Sequence, residues 1–136
     1  MENSALTAWQ NQAVLQRILI VDDNADLQAS LATLLQSEGR DIRTAPDGIE
    51  AVAVAKDWRP AVVFVDIHMP GLNGFQVARR LREQFPPEAM KLVLMSGVSI
   101  DENLARDARQ AGFDDCIDKM AAPAFWLRHL DPAEAG

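Results

Sequence analysis

The chain has 136 residues, 49% of them hydrophobic and 24% charged, which is the balance of one globular domain built on a single core. Its net charge of −7 argues against direct nucleic-acid binding, because phosphate backbones call for a basic footprint. One cysteine, Cys116, excludes an intrachain disulfide and a thiolate metal cluster, and no apolar run approaches the ~18 residues of a membrane span.

Met1 to Gln16 lacks the basic start and continuous apolar stretch of a secretion signal, so the expected setting is the cytoplasm. Ser4, Leu6, Trp9 and Ala13 have roughly helical spacing, compatible with a helical N-terminal extension over residues 1–16. The first apolar run, Ile18 to Val21, predicts a strand. Leu27, Leu31, Leu34 and Leu35 then share one helical face, and Gly39 stands where that helix would end. A weaker run at Ile42 predicts a second strand, and Asp47 to Glu50 has the capping-box spacing of a helix start. Ala61 to Val65 is the third run. Phe75, Ala78, Leu81 and Phe85 form the next helical stripe, stopped by Pro86-Pro87. Leu92 to Met95 is the fourth run, Ser99 to Glu102 has capping-box spacing, and Cys116-Ile117 marks a weak fifth strand. Pro123 can open a short last helix carrying Phe125, Trp126, Leu127 and Leu130.

The runs are continuous rather than alternating, which suits strands covered on both faces. Five βα units with right-handed crossovers predict a doubly wound parallel α/β sheet with helices on both faces.

In such a sheet, ligands bind beyond the carboxyl ends of the strands. The first run ends in Asp22-Asp23, the third in Asp66, the fourth in Ser96-Gly97 and the fifth in Lys119. Three converging carboxylates repel one another unless a hard divalent cation resolves the charge, and oxygen ligands with retained waters suit Mg²⁺. A cation, an ammonium and a hydroxyl together can hold a phosphoryl group. The isolated carboxylate, Asp66, is then the one placed to attack phosphorus. Singly, each of these residues has a blander explanation: an aspartate at a strand end is ordinarily a cap or turn residue, and a lone lysine is a solvated charge. The joint placement carries the argument.

With those residues on the page, the chain resembles the CheY-like receiver domains of response regulators over residues 17–130, leaving 131–136 as a tail. Asp22-Asp23 is similar to the family's metal-binding pair. Asp66-Ile67-His68-Met69-Pro70-Gly71-Leu72-Asn73-Gly74 resembles its phosphoacceptor motif, and Ser96 and Lys119 fall at its hydroxyl and lysine positions. The resemblance implies strand order 2-1-3-4-5 and an aspartyl phosphate on Asp66, taken from a histidine kinase or histidine phosphotransfer protein. It implies Mg²⁺ bound by Asp23 and Asp66, by Asp22 through water and by the His68 carbonyl. Lys119 pairs with the phosphoryl oxygens, and Ser96 turns inward to them. The expected product is a switch and not an enzyme, a monomer that signals to a downstream protein target with no direct contact to nucleic acid or membrane.

Three departures bear on output. Cys116 stands where the family usually has an aromatic residue, Met120 follows the lysine in place of proline, and the last helix is short. The His68 side chain is read as lying at the mouth of the site rather than as a ligand, and Cys116 as a small core residue. Two other functions compete. One is a degenerate receiver that binds partners without phosphorylation. The other is a haloacid-dehalogenase-like phosphohydrolase, which wants a second acid where His68 stands. Met1 and the end at Gly136 favour a stand-alone regulator over the receiver of a hybrid kinase.

Overall fold

In the computed structural model, residues 16–36, 39–69 and 71–119 are described. The N-terminal extension, the last helix and Met120 lie outside these described residues. Five strands, β1 (Arg17–Val21), β2 (Asp41–Ala45), β3 (Val62–Asp66), β4 (Lys91–Ser96) and β5 (Asp115–Asp118), form one parallel sheet in the order β2-β1-β3-β4-β5. Four helices connect them: α1 (Ala25–Gln36), α2 (Gly48–Trp58), α3 (Gly74–Arg82) and α4 (Glu102–Ala111).

The continuous apolar runs divide by the two-residue period of a strand. Leu19, Val21, Val63, Val65, Leu92 and Leu94 face one core with Ala51, Ala55 and Trp58 of α2, Val77, Ala78 and Leu81 of α3, and Ala108 and Ala111 of α4. Ile18, Ile20, Val62, Phe64, Val93, Met95 and Ile117 face the other, where Leu31 of α1 packs with Leu27 beside it. A side chain of this size contributes about 1.5–3 kcal/mol when fully buried, so both faces of the central strands stabilise the fold. Strand β2 is different. As the edge of the sheet it keeps Asp41, Arg43 and Thr44 exposed. Arg43 and Arg17 lie over the Trp58 ring, 4.7 and 5.7 Å from its centre, and Arg17 Nη1 donates to the Trp58 carbonyl at 2.7 Å.

Two helix boundaries differ from the sequence expectation. The cap of α4 is Asp101, whose side chain accepts from the Leu104 amide, and not Ser99. Ser99 and Asp101 are both short oxygen side chains, and the helix begins two residues later than the Ser99–Glu102 spacing suggests. Helix α3 ends at Arg82, before the Pro86-Pro87 stop, and Phe85 reaches the core from the turn that follows.

At that helix end Arg82 makes long-range contacts. Its Nε donates to the Gly112 carbonyl at 2.8 Å and Nη1 to the Met90 carbonyl at 2.6 Å, while Nη2 pairs with Asp114 Oδ2 at 2.6 Å. Asp114 Oδ2 also accepts the Leu92 amide at 2.8 Å. One guanidinium thus ties the end of α3 to the start of β4 and the α4–β5 turn. Gly112 has φ +113°, and a Cβ there would lie 2.5 Å from Arg82 Cγ, so glycine is needed for both backbone and space. Replacing Arg82 with Met keeps the apolar stem and removes all the donors. The expected loss is about 2–4 kcal/mol in urea unfolding, from stranded carbonyls and an unpaired Asp114. A loss below the error of the measurement would show the network to be dispensable.

Candidate functional site

The site is assembled where the strands stop. Beyond β1, Asp22 is fully buried, and its amide donates to the Ala45 carbonyl at the end of β2, at 3.1 Å. Its Oδ1 accepts the Asn24 amide at 2.8 Å. Asn24 in turn caps α1, its side chain accepting the Leu27 amide at 3.0 Å and its carbonyl the Gln28 amide at 3.1 Å. Gln28 reaches back from α1, and its Nε2 donates to the carbonyls of Asp22 (2.5 Å) and Ala45 (2.8 Å). Asp23 is exposed.

Asp66 closes β3 and is only 5% exposed. The His68 amide approaches its Oδ1 at 3.4 Å, a long hydrogen bond, and the His68 side chain is exposed. Helix α3 starts against Asp66, and a Cβ on Gly74 would lie 2.6 Å from the Asp66 carbonyl oxygen, so only glycine permits this approach. The entry of the chain into α3 is fixed by a reciprocal capping box between Asn73 and Gln76, at 2.9 and 2.8 Å.

Lys119, directly after β5, unites the two buried acids. Its Nζ lies 2.9 Å from Asp22 Oδ2 and 3.3 Å from Asp66 Oδ2. Its amide donates to the Ser96 carbonyl at 2.9 Å. Ser96 is buried at the end of β4, but its hydroxyl is engaged with its own loop, donating to the Val98 carbonyl at 3.0 Å and accepting the Val98 amide at 3.2 Å. The structure therefore brings Asp22, Asp23, Asp66 and Lys119 together, with Ser96 beside them and its hydroxyl turned to Val98.

Burial, and next the charge of Asp22, push the Asp66 carboxyl above its ordinary range, against the opposing pull of Lys119 and the His68 amide. For Lys119, burial disfavours the charge, yet contact with Asp22 and the charges of Asp22 and Asp66 outweigh it and raise its pKa. Cys116 is partly buried against the core, and its thiol is pushed up by burial and by Asp115, which makes it a poor nucleophile.

Oxygens of Asp22, Asp23 and Asp66 lie within 4.8 Å of one another. Asp22 Oδ2 is buried and faces the Lys119 ammonium as an ion pair at 2.9 Å. A set of three carboxylates with one ammonium carries excess negative charge, and its all-oxygen donors fit a hard divalent cation. One Asp22 oxygen is bonded to Asn24 and the other faces Lys119, and Asp66 is likewise engaged by the His68 amide and by Lys119, so the exposed Asp23 carboxylate is the freest of the three.

Sequence reasoning passed over Gln28 and the Asn73–Gln76 box. Both had a signal. Gln28 is a polar residue three before Leu31 and seven before Leu35, within the apolar stripe, and Asn-x-x-Gln has the capping-box spacing.

The family described as response regulator receiver domain matches residues 18–130. Protein PilH of Pseudomonas aeruginosa is 34% identical over 122 residues, which is 90% of this chain and 100% of PilH. The DNA-binding response regulator MtrA of Mycobacterium tuberculosis is 43% identical over 108 residues, 79% of this chain but 46% of MtrA, so the chain matches less than half of that relative. Among solved structures, chemotaxis protein CheY4 of Vibrio cholerae shares the fold, with a TM-score of 0.78 at 24% identity over 85% of this chain and 95% of that one. The BeF3-activated N-terminal receiver domain of Klebsiella pneumoniae RstA gives 0.76 at 28% identity, over 83% of this chain and 93% of that one.

The raised pKa of Asp66 has a consequence for stability. An acid whose folded pKa exceeds its unfolded value binds more protons folded than unfolded, so stability falls as pH rises between the two. At pH 7 the raised pKa of Asp66 therefore works against the metal-free fold. Asp66→Asn is expected to raise the melting temperature without metal at pH 7, with the gain shrinking as pH drops towards the ordinary aspartate value of 3.8. A gain that is constant across that range would show the charge not to be its source.

Proposed function

The chain belongs to the response regulator receiver domain family, signalling modules rather than catalysts, and from that premise we propose that it is a Mg²⁺-dependent phosphoacceptor that takes a phosphoryl group onto Asp66. The observation that carries this reading is the Lys119 ammonium standing 2.9 Å from Asp22 and 3.3 Å from Asp66 at the carboxyl ends of the strands.

In this reading the phosphodonor is a phosphohistidine on a histidine kinase or histidine phosphotransfer protein. An Asp66 oxygen forms a bond to phosphorus as the P–N bond breaks, and the imidazole leaves on the partner. Asp23, Asp66, the His68 carbonyl and, through water, Asp22 would hold Mg²⁺, which supplies charge neutralisation at the phosphoryl oxygens. Lys119 already balances the charge of Asp66 and stays as its counter-ion when that charge passes to the phosphoryl group. The buried setting of Asp66 limits water and strengthens these electrostatic contacts. The protein acts in the cytoplasm through contacts with a downstream protein target. The alternative of a phosphohydrolase lacks a second acid, since His68 occupies that place.

Ser96 supplies the switch. To meet a phosphoryl group its hydroxyl must leave Val98, which frees the loop from Gly97 to Ile100, and a phosphoryl ligand shifts this equilibrium by its preference for the released state. Cys116 presents little apolar area to move, so the packing link from site to output face is small at roughly 25 cal/mol per Å².

Incubation with a small acyl-phosphate donor and Mg²⁺ should label the chain, with the label lost to hydroxylamine. Asp66→Asn should remain unlabelled while keeping its fold, and acid-stable label on that variant would overturn the assignment. Beryllium fluoride, mimicking the phosphoryl group, should change amide exchange across Ser96–Ile100. Unchanged exchange at the Val98 amide would show that Ser96 does not switch.

A further inference from the structure

We infer that Gln28 is the positioning residue of this site, its side-chain amide setting where the Asp22–Asp23 pair stands and thereby the affinity for the divalent cation; the inference rests on reading the acidic group as a metal site. Gln28 lies in the first turns of α1, among Leu27 and Leu31, where a polar side chain must find partners. Its Nε2 carries two hydrogens, and both are used: one on the Asp22 carbonyl, one on the Ala45 carbonyl. These carbonyls lie at the exit of neighbouring strands, since the β1–β2 pairing ends at Val21 and Ala45. Beyond that point the sheet no longer sets the backbone direction.

The bonds close a ring. The Asp22 carboxylate accepts from the Asn24 amide, the Asn24 carbonyl accepts from the Gln28 amide, and the Gln28 side chain returns to the Asp22 carbonyl. Asp23 sits inside this ring with its carboxylate exposed, so its distance from Asp22 and Asp66 follows from the ring's geometry. Opening the ring at Gln28 leaves all three carboxylates in the chain and releases their spacing.

The test is a Mg²⁺ titration of the full chain, read from the amide shifts of Asp23, Asp66 and His68. Gln28→Met keeps the length and apolar packing and removes both donors. Gln28→Asn keeps the amide on a side chain one carbon too short to span both carbonyls. Each variant, folded, should bind Mg²⁺ roughly tenfold more weakly, the usual cost of losing a partner that orients a ligand. Should Gln28→Met fail to fold, Gln28→Asn decides. Leu31→Ala, on the same helix and facing the core, should melt earlier and keep the wild-type affinity. Unchanged affinity in the folded Gln28 variants would overturn the inference and leave the metal site standing. An equal loss in Leu31→Ala would overturn it too, since any loosening of α1 would then suffice. No Mg²⁺ binding by the unaltered chain would overturn the metal reading itself.

Discussion

Everything at this site depends on one ammonium held between two buried carboxylates. Asp22 and Asp66 come from β1 and β3, which are neighbours in the sheet, and Lys119 reaches them from β5, two strands further along. The contact exists because parallel pairing sets the strand ends at a common level: Val21 opposite Val65, Asp66 opposite Met95, Ser96 opposite Asp118. A slip of one residue in any pair would turn that strand's side chains to the opposite face and break both the core and the cluster. The charge balance is left incomplete on purpose-built ground, with Asp23 at the surface and two acids sharing one cation. That excess of carboxylates over ammonium groups is the kind of charge balance that suits a hard divalent cation.

The packing that supports this arrangement is close where the chemistry is. Gly74 brings the first turn of α3 against the Asp66 backbone, and Gly48 brings α2 against Leu72 and Val77, which themselves belong to the loop and helix after Asp66. A side chain at either position would push the loop away from the strand end. Asp66 is thus held from beneath by the sheet and from the side by helix starts, while the β4–α4 loop keeps Val98 and Ile100 exposed and carries the two bonds between Ser96 and Val98. The site is thus closely packed on its α2 and α3 side and open to solvent on the side of the β4–α4 loop.

Much of this was legible in the residues. The strands of the centre announced themselves as continuous apolar runs, because both faces are buried, and the acids stood out because each follows such a run. The edge was fainter: β2 shows one weak apolar run at Ile42, since among the described residues only β1 lies beside it. Choices between similar short-range signals were not legible. Ser99 and Asp101 offer the same kind of oxygen two residues apart, and only the backbone path decides that Asp101 caps α4. Arg82 at the end of α3 meets Gly112, thirty residues away in sequence, and local propensity carries no information about that meeting. The direction of the Ser96 hydroxyl is a property of the loop conformation, which a single residue identity cannot encode.

The place of β2 at the end of the sheet, among the described residues, has a consequence for pairing with other chains. A terminal strand of a parallel sheet presents unpaired amides and carbonyls to any passing chain, and an apolar one invites fibrous stacking. Strand β2 carries Asp41 and Arg43 at that border, with the Arg43 guanidinium drawn over Trp58 so that a charge covers the indole. An incoming strand would have to desolvate both charges and uncover a tryptophan before gaining its first hydrogen bond. The same two residues that make β2 hard to recognise in the sequence therefore raise the cost of edge-to-edge pairing.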